Sequence, residues 1–277
     1  MRRQLLAAAL AASMVFPMTA FAVGGPSGPK MEHPVPGKIG EVVVNPYKIA
    51  PLTAVIRNGG YVLKDASVRI VPKPGGVEIA YKVADNKLLT YGGIPIFGLY
   101  PDYNNTVEVT YTRKFNGKSE KISEKYSIYT APVYHEVNGD PTLTHNMFET
   151  EVVKMDPKFS DRLYLVNNLM QQYAKATRMI WNNPNGGAME WNFYPMNAII
   201  DTRGEVRWYM HVEPIYDVEQ MYRSGVMMGF QQDEDGNITW GYGQRYVKYD
   251  VMGREIFNRV LPAGLSLIHI SEPTRPY

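Results

Sequence analysis

The chain has 277 residues, no cysteine and a formal net charge of +2, with 45% hydrophobic and 20% charged residues. That is enough apolar material for one large or two ordinary domains, held by packing without disulfides. Once Arg2 and Arg3 at the extreme N-terminus are set aside, positive and negative side chains balance. No basic run stands out, which removes the electrostatic case for nucleic-acid binding.

Residues 1–22 carry a basic start, an apolar run from Leu5 and a small-x-small site at Ala20-Phe21-Ala22. They read as a secretory signal peptide cleaved before Val23. A membrane anchor fits less well, because Pro17 and the Ala-x-Ala site follow a short apolar core. No later stretch is long and apolar enough to cross a bilayer, so an exported protein with no membrane attachment after cleavage is expected. Residues 23–38 are Gly/Pro-rich and read as a linker, with His33 a solvated side chain in it.

Short strands punctuated by turns follow. Twenty tyrosines, 24 glycines and 20 prolines already favour that pattern over helical bundles. Runs at 39–44, 52–56, 61–71 and 77–83 end at Asn45-Pro46, Asn58-Gly59-Gly60 and Pro-Lys-Pro-Gly-Gly signals. In "TVEVTYTRK" Val107, Val109 and Tyr111 alternate with Glu108, Thr110 and Thr112, the period of a half-buried strand. Asn116-Gly117 then turns it into "KSEKISEKYSIYT", a hairpin signal. With no amphipathic helix among them, residues 39–132 predict a small β-sandwich.

Beyond the junction the design changes. "AIIDTRGEVRWYM" and "YVKYDVMGREIFNRVL" share a strand, an Asp-x-x-Gly and a second strand, so that Asp201/Gly204 recur as Asp250/Gly253 after 49 residues. Between them lies another strand pair about Asp235-Gly236. A spacing of about 40–50 residues suits β-propeller blades, and a second sandwich with two similar turns is the alternative. Residues 150–264 have room for about two and a half blades, whereas a ring needs at least about four. The expected fold is therefore all-β: an N-terminal β-sandwich followed by the first blades of an incomplete propeller.

Few residues suggest chemistry. There is no nucleophile elbow, P-loop or zinc pattern, and neither a metal nor a cofactor is expected. Asp233 to Asn237 opens like a calcium loop but lacks its closing Glu and reads as a charged hairpin turn. The sequons at Asn104 and Asn237 suggest surface loops. His135 and His145 flank the junction as solvated linker histidines. His211 ends a strand, with no carboxylate or second His in the nearby sequence to orient it. Trp208, Phe230 and Trp240 could stack on a phenol, although packing inside blades suits them better.

Taken together, "GKIGEVVVNPYKIAPLTAVI", "TYGGIPIFGLYPDYNNTVEVTY", "DRLYLVN" and "IIDTRGEVRWYM...YVKYDVMGREIFNRVLP" resemble the bacterial periplasmic arylsulfate sulfotransferases from about Gly37 to Gly264. The resemblance implies a sandwich joined to a six-bladed propeller, acting as a homodimer in the periplasm. It also implies transfer of a sulfuryl group from aryl sulfates to phenols, without a nucleotide donor, through a sulfated histidine. The histidines and arginine implied for that reaction fall after Gly264, so no catalytic residue is expected within 1–264. Residues 265–277 read as a non-native tail: Leu265 to Arg275 back-translate without mismatch to a transposase adapter used in sequencing libraries. On that reading His269 is one of its codons, and the chain as written is inactive. A secreted binding or dimerisation module without catalysis is the alternative.

Overall fold

The computed structural model describes residues 39–137, 140–144, 146–148, 150–171, 193–215, 228–242 and 245–262. The expected signal peptide and linker with His33, as well as His145, the expected tail and His269, lie outside the described residues. All strand pairing among the described residues is antiparallel.

Two sheets form the N-terminal part. One has the order β1-β2-β5, with β1 at Val42–Val44, β2 at Thr53–Arg57 and β5 at Gly93–Phe97. The other has the order β4-β3-β6-β7, with β3 at Val62–Ile70, β4 at Ile79–Val83, β6 at Tyr103–Phe115 and β7 at Lys118–Thr130. The expected alternation is present: Val107, Val109 and Tyr111 are buried in the core with Val68 and Ile70, facing Ile56, Ile94 and Ile96 of the other sheet. The β6–β7 hairpin turns on Asn116 and Gly117, both at positive φ, as a two-residue loop matched to strand twist requires.

Two elements depart from the predicted strands-only pattern. Helix α1 at Asp85–Tyr91 ends on Gly92 in the left-handed region, whose N–H is directed at the Leu88 and Leu89 carbonyls. It buries only Leu88 and is two turns long, too short to show a helical period in sequence. Strand β5 is missing from the predicted strands because it is buried almost throughout and so does not alternate.

A β8–β9 hairpin (Val133–Val137 and Asp140–Thr144) leads into the second part. There, β10 (Tyr164–Gln171), β11 (Phe193–Ile200) and β12 (Val206–Tyr209) form one meander. Strands β13 (Met228–Gln232), β14 (Ile238–Tyr242), β15 (Arg245–Tyr249) and β16 (Glu255–Val260) form another. Three of their hairpins share one turn. In each, an aspartate side chain accepts from the N–H groups two and four residues on, its backbone carbonyl accepts from a glycine N–H three on, and its own N–H closes on the fourth carbonyl. The aspartates are Asp201, Asp233 and Asp250, and the glycines Gly204, Gly236 and Gly253 all have positive φ. The Asp201 and Asp250 turns each join the last two strands of their sheet, so the 49-residue spacing is the length of one sheet unit. The middle turn starts at Asp233, a third copy that centring on Asp235-Gly236 conceals.

One hydrophobic core runs through both parts, from Ile39 to Tyr249. Trp208 is buried on one side of β12 and Trp240 is stacked on Tyr249 with ring centroids 5.0 Å apart.

Candidate functional site

The polar chemistry of the described residues gathers at the seam where the N-terminal sheets meet the meanders. At its centre is Arg207 on β12, fully buried between Val206 and Trp208. Its Nε and Nη2 donate to the Gly98 carbonyl at 3.0 and 2.8 Å, and Nη1 donates to the Val77 carbonyl at 2.8 Å. Nη1 also reaches Asp201 Oδ2 at 2.9 Å, and the guanidinium lies 3.6 Å from the Tyr100 ring centroid. Four of its five N–H donors are used within the protein and the group is fully buried, so it serves to fix the seam. Glu205 and Lys73 extend the cluster outwards through an ion pair of 2.7 Å.

Beside it the turn of Asp250 meets α1. Tyr91 donates to Asp250 Oδ2 at 3.0 Å, while Oδ1 holds the Met252 and Arg254 N–H groups and Arg254 Nε binds Oδ2. Burial, then the Asp250 charge, push the Tyr91 phenol up, so it stays a neutral donor. Trp208 Nε1 donates to the Val251 carbonyl at 2.7 Å, and the His211 N–H donates to the Ile49 carbonyl at 2.8 Å. Between α1, β4 and β5 on one side and β10, β11 and the Asp233 and Asp250 turns on the other lies a crevice of about 490 Å³. Tyr81 forms part of its wall, fixed by donating to the Pro95 carbonyl and accepting from the Phe97 N–H.

His211 needs a correction. A carboxylate is close to it in sequence after all: Glu213 lies two residues on, with Oε2 3.0 Å from Nε2. Tyr134 meets the imidazole edge-on at 5.3 Å between centroids. The -x- spacing in His-x-Glu was the available signal. His135 falls within β8, and its side chain is outside the described residues.

The other residues singled out from sequence are structural. Trp208, Phe230 and Trp240 are core side chains with no open ring face. Asp233 to Asn237 is a hairpin turn. The two sequons do not mark exposed loops: Asn104 lies within β6, and Asn237 is only 8% exposed, its N–H and amide directed at Asp233. Among the described residues no group of three or more His, Cys, Asp or Glu is placed to hold a metal, and no helix is long and apolar enough to cross a membrane. Sequence reasoning passed over Arg207, Tyr91 and Tyr100. Arg207 did carry a signal, a charge inside an otherwise apolar strand.

Residues 41–131 match the family model of the arylsulfotransferase Ig-like domain, and residues 149–273 match that of the arylsulfotransferase (ASST). The second match extends past Gly264 and takes in His269. Among curated proteins, an arylsulfate sulfotransferase AssT of Lelliottia amnigena is 35% identical over 242 residues, covering 82% of this chain and 40% of that protein. Another, from Escherichia coli O6:H1 (strain CFT073), is 33% identical over 248 residues, covering 84% of this chain and 40% of that protein. The chain therefore spans about 40% of the length of the curated relatives it matches.

Proposed function

The chain belongs to the arylsulfotransferase family, and on that premise we propose that it is the N-terminal portion of an exported, periplasmic enzyme moving a sulfuryl group from an aryl sulfate to a phenol. The observation that carries this is the arylsulfotransferase match over residues 149–273, directly after the Ig-like match. In the proposed chemistry an imidazole nitrogen attacks sulfur, the aryl oxygen–sulfur bond breaks, and the released aryl oxide takes a proton. The acceptor phenol then attacks the sulfated histidine, the nitrogen–sulfur bond breaks, and the imidazole is regenerated. Neutral imidazole is a competent nucleophile near neutral pH, and cationic side chains offset charge on the transferring oxygens. No nucleotide sulfuryl donor takes part.

The histidines and arginine of that step belong after Gly264, in further blades of a six-bladed propeller, and the functional protein is a homodimer. Support for blades comes from the two meanders with equivalently placed Asp-x-x-Gly turns. Support for an absence of catalysts in the described part comes from Arg207, which is fully buried with four of its five N–H donors spent on the seam. The reading of residues 265–277 as translated adapter belongs to the same proposal.

The test pairs two proteins in one assay, release of 4-nitrophenol from 4-nitrophenyl sulfate with formation of phenyl sulfate from phenol. The 277-residue chain should give no turnover. The product encoded when the locus is read past the codon for Gly264 should give acceptor-dependent turnover. Activity in the first sinks the claim that its catalysts lie downstream, and inactivity in the second sinks the sulfotransferase reading in favour of a binding module.

A further inference from the structure

We propose that the end of the N-terminal sheet at the β6–β7 turn is a docking surface for an anionic lipid bilayer. Across this end of the sheet Val62 pairs with Lys114, and Lys64 with Thr112, which pairs in turn with Lys121. Leu63 and Tyr111 alternate with them and are buried on the inner face, so Val62, Lys64, Lys114 and Lys121 stand on the outer one. Phe115 and Lys118 close the hairpin at its tip, where the Phe115 ring meets Tyr61 edge-on at 5.3 Å between centroids. All four lysines are exposed, and among the described residues none has a carboxylate in ion-pair range, unlike Lys73, Lys125 and Lys248. Beside them Val62 is 57% and Phe115 44% exposed.

This end of the sheet is unbalanced in charge where the other end is not. Farther along the same face Arg69 binds Glu78 and Glu108, and Lys125 binds Glu108. At the hairpin end, residues 62–65 and 113–121 carry five cations, Lys64, Arg113, Lys114, Lys118 and Lys121, against Asp65 and Glu120, a net charge of +3. Glu120 is paired with Arg113 and Asp65 accepts from the Thr112 hydroxyl. Counting Asp85 of α1, whose carboxylate accepts from the Asp65 N–H, leaves the balance positive. Lysines on an edge strand also guard it against pairing, which accounts for Lys118 and Lys121 on β7. It does not account for Lys114, flanked by Val62 and Ser119 on either side, or for the exposed Val62 and Phe115. Apolar side chains ringed by unpaired lysines suit a layer of anionic headgroups over acyl chains. A nucleic acid offers the charge but no apolar layer for Val62 and Phe115. No basic run in the sequence announces the patch, because three strands contribute to it. The contact is peripheral, needs no spanning segment, and is independent of the reaction proposed above.

The experiment is vesicle flotation of the expected mature chain, residues 23–277, because the apolar leader would itself bind lipid. Vesicles with about 30% phosphatidylglycerol in phosphatidylcholine should carry the protein, and pure phosphatidylcholine should not. Raising the salt from about 0.05 to about 0.5 M should weaken binding at least about ten-fold. Lys114→Gln and Lys121→Gln should each weaken it by about five-fold, equivalent to about 1 kcal/mol. Phe115→Ser should weaken it by about two- to three-fold with the salt dependence unchanged. Lys158→Gln makes the same charge change at another exposed position, in the 3₁₀ turn at Pro157–Phe159, and should alter binding by less than about two-fold. The lysine variants should melt with the parent, so that a loss reports the surface and not the fold. Absence of binding at low salt, equal binding to neutral vesicles, or binding that Lys114→Gln and Lys121→Gln leave unaltered overturns the proposal. So does tighter binding of duplex DNA than of the anionic vesicles, which would make the patch a nucleic-acid surface.

Discussion

Arg207→Met tests whether the seam is held by one buried cation. The substitution preserves an apolar stem of similar reach but removes the donors to Gly98, Val77 and Asp201. Asp201 and Arg207 are both fully shielded from solvent, so the variant leaves a buried carboxylate without its cation and the Gly98 carbonyl without its donors, while the Val77 carbonyl keeps the Tyr100 hydroxyl. Breaking a buried pair from one side costs about 3–5 kcal/mol. At about 2–4 °C per kcal/mol for a unit of this size, the melting midpoint should fall by about 6–20 °C. Arg207→Lys retains the charge but cannot span Gly98, Val77 and Asp201 or stack on Tyr100, so it should fall between the parent and Met. Asp201→Asn combined with Arg207→Met removes the stranded charge, and its loss should be smaller than the sum of the singles by about 1–3 kcal/mol. Thermal melts followed by circular dichroism give these numbers, and amide exchange locates them. Protection should fall both around Gly98 to Tyr100 and in the Asp201 hairpin. A Met variant melting within about 1 °C of the parent, or a loss confined to the hairpin, would refute the reasoning.

Gly253→Ala should destabilise more than Gly236→Ala by at least about 1 kcal/mol in urea melts. Both glycines have positive φ, but a Cβ at 253 would meet the Ile49 Cβ at 2.9 Å, whereas at 236 the nearest atom is the tip of Gln232 at 3.7 Å. Asn105→Ala should cost about 2–3 kcal/mol, because its side chain accepts from the Tyr100 N–H and donates towards carbonyls including those of Tyr100 and Tyr103. Asp233→Asn should show a pH-dependent loss. Burial raises the Asp233 carboxyl, but the Lys248 ammonium and the Asn237 N–H outweigh it and leave it below the ordinary carboxylate value. A lowered carboxyl contributes stability above the unfolded value, which is lost as the pH falls through the folded one. The gap between parent and variant should therefore be full near pH 7 and close as the pH drops through and below about 4; a constant gap would count against the Lys248 pairing.

What was legible in the sequence was local. The β6–β7 hairpin follows from strict alternation and a two-residue Asn-Gly turn, and both strands lie where those signals place them. The Asp-x-x-Gly turns are closed within five residues, since the aspartate side chain satisfies N–H groups two and four positions on. Each can be read without knowing anything else about the fold. By contrast, α1 and β5 gave no period to read. One is too short, and the other is buried on nearly its whole length.

The seam could not be read that way, because its bonds join residues far apart in the chain. Arg207 and Gly98 are 109 positions apart, and Tyr91 and Asp250 are 159 apart. Nothing near Tyr91 announces that a hairpin turn far along the chain will supply its acceptor. Nothing near Gly98 announces that its carbonyl will cap a guanidinium. What the sequence did contain was the demand without the supply: an arginine between Val206 and Trp208 on an apolar strand, and an aspartate opening a turn with one more oxygen than the turn consumes. A buried charge requires a partner and several donors or acceptors. An arginine in an apolar run is therefore a sign of a missing neighbour, and here that neighbour is the N-terminal part of the chain. The two stretches that match separate family models are thus joined through the same buried guanidinium, which pairs with Asp201 in its own stretch and donates to the Gly98 and Val77 carbonyls of the other.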